Sequence, residues 1–340
     1  MLATSTAADE HARHRALGWW AAAGGIGMAA GPLLGGLLVS ALDWRAVFGV
    51  NVVVGLPAVV VALRVVPDLA RRPRRADVQG MAAATLLIGG LVFGLIEAPA
   101  QGWSAPGVLV ALGLAVAGLA AFVHTARTSA APLLPAAVYA DRGFGSSAVQ
   151  GVLLNFTFYG LLFGLSLTLQ QGRGLDAVTT GLLFLPLTGL ISLGNLRAAA
   201  ASRRFGRGAV VAAGQAGLAV SLVAVALTSR AEAEWPLVLA LLPVGLTAGL
   251  VVPTLTAQSL AAVPVALHGA ASAVFNSSRQ VGAAVGVAVF GPLLGTGRAL
   301  HDGFERCVLI GAGAILVSLL VGLAVGSGGR LRGGGYARES

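Results

Sequence analysis

The sequence contains little charge: only 10% of its residues are Asp, Glu, Lys or Arg, whereas 56% are hydrophobic. A soluble domain carries about 25% charged residues because its surface must face water. The mean hydropathy of +0.86 points the same way. The chain has too few polar side chains to cover itself in water, so a lipid bilayer is its expected environment and an ordinary soluble domain is excluded.

Lysine is absent, so all 22 basic residues are arginines, and they outnumber the 13 acidic residues. The arginines stand in short clusters between apolar runs, as at Arg71, Arg72, Arg74 and Arg75. This placement is typical of membrane proteins, whose cytoplasmic loops contain more basic residues than the loops on the opposite side of the membrane. It does not form the single basic face that nucleic-acid binding requires, so a nucleic-acid partner is not expected.

Cysteine is nearly absent, because Cys307 is the only one, and an intrachain disulfide is therefore excluded. The five histidines show no metal-ligand spacing. No cluster of His, Asp or Cys supplies a catalytic set. The sequence therefore predicts no metal site, no cofactor and no enzyme activity. The histidines are His11, His14, His124, His268 and His301.

Long apolar runs are what the sequence does contain. A helix that crosses a bilayer needs about 20 mostly apolar residues. Ten such runs, bounded by charge, Pro or Gly, predict an all-α polytopic bundle of about ten transmembrane helices. The predicted spans are residues 17–40, 45–66, 78–97, 107–126, 147–170, 177–200, 209–229, 236–262, 271–295 and 305–326.

The distribution of arginine predicts how these helices are oriented. If the N-terminus lies in the cytoplasm, sixteen arginines lie on the cytoplasmic side, five lie on the opposite side, and Arg279 lies inside a span. An even number of spans then returns the C-terminus to the cytoplasm. The sequence thus predicts a multi-pass protein of the inner cell membrane with both termini cytoplasmic.

Longer basic loops divide the spans into groups. The expected organisation is a cytoplasmic segment (1–16), a pair of helices (17–66), a two-helix spacer pair with its flanking loops (67–146), and a group of six helices (147–326). The glycine-rich tail, residues 327–340, is expected to be disordered.

The first span contains the string Gly27-Met-Ala-Ala-Gly31-Pro32-Leu-Leu-Gly35-Gly36. Glycines four residues apart remove side chains from one helix face, so that a neighbouring helix can approach closely. Proline removes a backbone hydrogen bond and favours a kink. Ordinary helix packing explains a bare pattern of this kind, but the whole string resembles the antiporter signature in the fifth helix of the major facilitator superfamily.

Later motifs follow in the order found in the fourteen-helix drug:proton antiporters of that superfamily. Residues 44–55 resemble the start of the sixth helix, although Val53 stands where the family usually has Pro. Residues 169–186 resemble the join between the ninth and tenth helices. The richest match, which resembles helices twelve and thirteen, comprises Pro253, Thr254, Asn276, Arg279, Gln280, Gly282 and Gly286. The resemblance extends from about residue 12 to residue 326.

The segment Arg204-Phe205-Gly206-Arg207 resembles the basic cytoplasmic turn that the superfamily repeats in each half. In the family an acidic residue often precedes this turn and forms a charge link. Here Arg203 occupies that position, so such a link needs another partner or is absent. The alternative interpretation is a plain basic loop on the cytoplasmic side.

Polar residues inside the predicted spans are candidates for cavity lining or gating, because ionisable groups in lipid are costly and usually functional. Arg279 is the only charged residue well inside a span, and it either faces a cavity or extends towards a membrane surface. The uncharged candidates are each equally explained as interhelical hydrogen-bond partners. These candidates are Asn155, Tyr159, Gln215, Thr254, Asn276 and Gln280.

A buried carboxylate, the usual proton-coupling group, is missing from the interior of the predicted spans. Glu97, at the end of the third predicted span, is the acidic residue nearest to membrane depth. In the antiporter family this carboxylate is generally in the first helix. The resemblance begins after the family's fourth helix, so the sequence looks like an N-terminally truncated member that lacks the first four helices.

The resemblance implies proton-coupled efflux, by antiport, of hydrophobic or cationic drug-like molecules. The implied partners are the lipid bilayer, a small-molecule substrate and protons. An alternative of a different class is a non-transporting membrane fragment or gene remnant that only associates with partner helices.

Overall fold

The computed structural model describes residues 33–65, 77–129, 141–295 and 299–332, together with the single positions 27, 31, 132, 138 and 297. Every regular element in these ranges is a helix. Eight of the helices are long and apolar enough to cross a membrane. The predicted all-α, polytopic architecture is therefore confirmed.

Nine long helices follow one another in the described part of the chain. A further helical stretch, residues 33–41, precedes the first of them. A π-helical turn, Thr168–Gly172, extends α4, and a short 3₁₀ helix precedes α8. The nine helices are α1 (Trp44–Val65), α2 (Val78–Gln101), α3 (Pro106–Thr128), α4 (Arg142–Leu167), α5 (Ala177–Phe205), α6 (Arg207–Thr228), α7 (Trp235–Ala261), α8 (His268–Leu294) and α9 (Ala299–Arg332).

These helices coincide with the last nine predicted spans. Helix α8 is not among the eight most apolar helices, because it carries the polar run from Asn276 to Gln280. The first predicted span, 17–40, lies mostly outside the described residues, and so does the N-terminal segment 1–16. Helix α9 continues to Arg332 and therefore includes residues 327–332 of the tail that the sequence predicts to be disordered.

The spacer pair α2 and α3 is held together by close contact of backbones. A Cβ atom added at Gly118 would lie 2.5 Å from the backbone nitrogen of Leu87 and 2.8 Å from the carbonyl oxygen of Ala83. Lipid provides no hydrophobic drive between helices, so such small-residue contacts supply the packing. The pair then contacts the remaining helices through α2 and α8.

Helices α4 to α9 form one bundle, called the six-helix bundle below. Helix α4 packs on α8 and α9, α7 packs on α5 and α6, and α6 also packs on α9. Glycines again allow the closest contacts: Gly282 and Gly286 of α8 lie against the backbone of α4 at Val152 and Phe156. The same interhelical core contains the chain's only cysteine, Cys307, which is fully buried.

Helix α1 has a different environment. None of its 22 residues is buried. The helical stretch before it contacts the six-helix bundle at Gly36, which lies against Ala177 and Val178 at the start of α5.

Candidate functional site: two neighbouring cavities

A small cavity of about 80 Å³ lies between α4, α5, α7 and α8. Four different helices contribute to its wall, so its shape depends on the packing of the six-helix bundle. Most of the wall is apolar, and four polar side chains interrupt it. The lining consists of Leu154, Asn155, Phe158, Tyr159, Ile191, Asn195, Ala248, Val252 and Arg279.

Arg279 enters this small cavity from α8 and is half-buried. Its aliphatic stem crosses α4 at Gly151, where an added Cβ would lie 3.0 Å from Cγ of the arginine. The guanidinium Nε donates a hydrogen bond to Oδ1 of Asn155, at 3.4 Å. Its two terminal nitrogens make no hydrogen bond to any residue that the structure describes. The arginine is thus positioned at its stem and left open at its tip.

The contact with Arg279 also determines how Asn155 is oriented. A guanidinium nitrogen can only donate, so the amide oxygen of Asn155 must face it. The Nδ2 group of Asn155 then has no partner among the described residues, although the side chain as a whole is only 3% exposed. It remains available to a ligand in the small cavity.

A large cavity of about 600 Å³ adjoins the small one, and Asn195 lines both. The hydroxyl groups of Ser202 and Thr254 lie 3.2 Å apart in its wall. Thr254, predicted from the sequence as a cavity residue, therefore lies at this cavity. The complete lining is Asn195, Ala198, Ala199, Ser202, Arg203, Arg207, Pro253, Thr254 and Ala257.

The basic turn lies beside the large cavity, between α5 and α6. Gly206 has φ +83°, a conformation that residues with a side chain rarely adopt. Arg204 stacks over the ring of Phe205 at 5.2 Å, while Arg203 and Arg207 line the cavity. Within the described ranges, no acidic side chain forms an ion pair with these three arginines.

The antiporter-like glycines differ in their contacts. A Cβ added at Gly27, Gly31 or Gly35 would meet nothing within 4 Å in the described structure, whereas Gly36 contacts the start of α5. Close packing of this string against the six-helix bundle therefore occurs at Gly36. Pro32 lies outside the described residues.

Gln215, a predicted cavity candidate, lies outside the linings of both cavities. It is only 1% exposed, and its Nε2 donates to Oε1 of Gln150, at 3.1 Å, and to Oγ of Ser318, at 2.8 Å. Gln150 in turn donates to Ser146 at 3.0 Å. These four residues, called the glutamine network below, join α4, α6 and α9. Gln215 therefore matches the second explanation that the sequence offered for it, which is an interhelical hydrogen-bond partner.

Two further predicted residues and two missed ones complete the description. Asn276 and Gln280 are exposed on α8 and lie outside the linings of both cavities. Sequence reasoning missed Asn195, which lines both cavities, and Ser202. Asn195 is a polar residue inside the predicted span 177–200, so the criterion that found Asn155 applies to it as well.

A third cavity, of about 480 Å³, separates the spacer helix α2 from α4 and α8. Among the residues that the structure describes, no acidic or basic side chain contributes to it. Its lining consists of Ile96, Pro99, Ala100, Phe163, Leu167, Val287, Gly291 and Pro292.

Apolar membrane-crossing helices packed around cavities with a few polar groups define a class of protein: a multi-pass membrane protein with cavities between its helices. The sequence profile of the Major Facilitator Superfamily matches residues 1–287. The chain belongs to this superfamily.

Curated relatives include proteins named for drug resistance. The chain is 32% identical to the methylenomycin A resistance protein of Bacillus subtilis (strain 168), over 93% of this chain and 68% of the relative. It is 36% identical to the tetracenomycin C resistance and export protein of Streptomyces glaucescens, over 82% and 52%. It is 29% identical to the multidrug efflux pump LfrA of Mycolicibacterium smegmatis, over 84% and 56%. The chain spans between about half and two thirds of these relatives.

Proposed function

We propose that the protein takes part in the efflux of hydrophobic, drug-like small molecules across the inner cell membrane, in exchange for protons. The observation that carries this proposal is its similarity, over more than four fifths of the chain, to proteins named for resistance to different antibiotics. The proposed orientation places both termini in the cytoplasm, which is supported by the excess of arginine on that side.

The small cavity supports this function by its chemistry. Drug-sized ligands bind in pockets with mainly apolar walls and a few polar groups that orient the ligand. Phe158 and Tyr159 provide aromatic surface, and Leu154, Ile191 and Val252 provide aliphatic surface. These groups suit a hydrophobic compound of varied shape better than a small hydrophilic one.

Proton exchange is the part of the proposal that needs a titratable carboxylate. In the part of the chain that the structure describes, no Asp or Glu lines the small or the large cavity. Glu97, the acidic residue nearest to a predicted span, accepts a hydrogen bond from Gln101 on the exposed surface of α2. We therefore assign no residue of these ranges to proton coupling.

The test is an efflux assay in a drug-sensitive bacterial strain without its own major exporters. Cells that express the chain are expected to accumulate less of the neutral dye Nile red than cells with the empty vector. A protonophore should abolish the difference. The variant Phe158→Ala should weaken efflux, while the matched variant Phe93→Ala, at a position that is 51% exposed on α2, should not. Equal accumulation in both strains, with the chain present in the membrane, would refute the proposal.

One observation favours the alternative of a membrane fragment that associates with partner helices. Helix α1 buries none of its residues, so within the described structure it has no packed helical neighbour. The same assay separates the two functions, because a fragment without its partner helices would not export the dye. Efflux above the vector control would eliminate this alternative.

A further inference from the structure

Both cavities carry positive charge. Arg279 lines the small cavity and is half-buried, whereas Arg203 and Arg207 line the large one and are exposed. Neither lining contains an acidic residue within the ranges that the structure describes. The charge of Arg279 therefore acts most strongly, because charges interact more strongly in a low-dielectric interior than at an exposed surface.

The small cavity also contains hydrogen-bond donors that lack acceptors. The terminal nitrogens of Arg279 have no acceptor in the described structure, and Nδ2 of Asn155 is free because its oxygen faces Arg279. Tyr159 and Asn195 line the same space, and their side chains make no hydrogen bond to a described residue. Asn195 and Tyr159 each offer an acceptor as well as a donor, so the free donors of the cavity outnumber its free acceptors without excluding them.

A donor-rich site with a guanidinium group matches one chemical group in particular. The planar fork of an arginine binds the two oxygens of a carboxylate through parallel hydrogen bonds, and such charge-assisted bonds are stronger than neutral ones. A cationic amine would instead be placed beside a like charge, with only the neutral oxygens of Asn195 and Tyr159 as acceptors and no carboxylate to compensate it.

We propose that the small cavity binds the carboxylate of an amphipathic organic acid. Arg279 and Asn155 hold the carboxylate, the adjacent part of the apolar body lies against the aromatic and aliphatic walls of the small cavity, and the remainder occupies the large cavity. This inference rests on the proposed efflux function and specifies its substrate class. It departs from the expectation of cationic substrates that the family resemblance gives.

The sizes of the cavities agree with a divided binding mode. About 80 Å³ accommodates a head group but not a whole drug-like molecule. The 600 Å³ cavity that shares Asn195 with it has room for the remainder. Arg203 and Arg207, which line this larger cavity, attract the same anionic compound towards the site.

The experiment compares three probes that share one apolar body: 4-(1-pyrenyl)butyrate, 4-(1-pyrenyl)butanol and 4-(1-pyrenyl)butylamine. The full chain is reconstituted in lipid nanodiscs, and binding is followed by pyrene fluorescence anisotropy, with empty nanodiscs as the blank. The carboxylate is expected to bind about tenfold more tightly than the amine, the usual size of a charge-assisted bidentate contact. The neutral alcohol should lie between them.

Three variants identify the group responsible. Arg279→Gln should remove the preference for the carboxylate over the amine, whereas Arg279→Lys, which keeps the charge and loses the planar fork, should retain only part of it. Arg127→Gln removes a charge from an exposed position at the end of α3 and should leave the preference unchanged. Because the preference is a ratio of two dissociation constants in one sample, a lower yield of folded protein does not alter it.

Two results would overturn the inference. The first is an amine that binds the unmodified chain as tightly as the carboxylate. The second is a carboxylate preference that persists in Arg279→Gln. Either result leaves efflux of neutral compounds, and hence the proposed function, untouched. Absence of binding by all three probes would instead overturn both proposals.

Discussion

Two polar groups inside the six-helix bundle share helix α4 and differ in their hydrogen bonding. In the glutamine network, Gln150 and Gln215 are almost completely buried, and Gln215 donates to two partners at 3.1 and 2.8 Å. In the small cavity, Arg279 is half-buried and makes a single hydrogen bond, at 3.4 Å. The network is satisfied by its own side chains, whereas the cavity group is not.

This difference shows that hydrogen bonding separates the structural polar residues of a membrane bundle from those available to a ligand. A buried polar group costs free energy unless it finds a partner, so a satisfied group stabilises the fold. A group that keeps donors open in a cavity contributes little to stability and is available to a ligand.

The two groups should therefore respond differently to substitution. Labelling of Cys307 provides the measurement of stability, because a thiol-reactive dye labels this buried cysteine only when the bundle unfolds.

The largest effect is expected from Gly282→Leu, which attacks the contact between α8 and α4 on which the position of Arg279 depends. The added side chain would collide with the backbone at Val152. Overpacking of this kind costs about 1–3 kcal/mol or more. The temperature of Cys307 labelling should fall, and the carboxylate preference should be lost with it.

The matched control is Gly189→Leu on α5, where an added Cβ meets nothing within 4 Å. This variant should label at the temperature of the unmodified chain. If Gly189→Leu destabilised the protein as much as Gly282→Leu does, the loss of stability would come from placing a leucine in any helix of the bundle and not from the contact between α8 and α4.

The next effect is expected from Gln215→Leu, which removes the centre of the glutamine network. The change leaves Oε1 of Gln150 and Oγ of Ser318 without their shared donor. An unsatisfied buried group costs about 1–3 kcal/mol, and interhelical bonds in membranes lie towards the lower end of that range. Thermal labelling of Cys307 should shift to lower temperature, while the ratio of carboxylate to amine binding should stay the same.

Gln79→Leu provides the comparison for this variant, because Gln79 is exposed on α2. It makes the same chemical change without touching the network. Destabilisation of equal size in both variants would contradict a special role for Gln215.

A smaller effect is expected from Ser318→Ala, which removes one acceptor of the network and leaves Gln215 its bond to Gln150. Hydrogen bonds between membrane helices average about 0.6 kcal/mol in double-mutant cycles. The Cys307 labelling temperature should fall slightly, and Ser318→Ala added to Gln215→Leu should cause no further loss. A fully additive double variant would show that the two residues act independently.

The helices could be predicted from the sequence, but the environment of each polar residue could not. A membrane span requires a fixed length of apolar residues, so the hydropathy of the chain predicts its position. Hydropathy does not predict which face of a helix points into the bundle, because these helices are apolar around their whole circumference. Gln215 and Asn155 therefore look alike in sequence, yet one lies in a satisfied network and the other in a cavity.

Packing explains the remaining differences. The string from Gly27 to Gly36 predicts a close helix contact. Which glycine makes that contact depends on where the start of α5 lies, and in the structure it is Gly36. Asn195 lies at the junction of two cavities because α5 and α7 meet there, and this follows from the fold and not from its local sequence.

The smallest change in stability is expected from Arg279→Met, although this variant removes a whole charge from the bundle. Methionine fills similar space along Gly151 and needs no hydrogen bond, while the arginine it replaces makes only one long bond at 3.4 Å. Because replacing an incompletely paired internal charge by an apolar group is often neutral or stabilising, the Cys307 labelling temperature should stay the same or rise. The carboxylate preference should nevertheless disappear. A loss of stability as large as that of Gln215→Leu would instead show that Arg279 holds the bundle together, and the distinction between the two polar groups would fail.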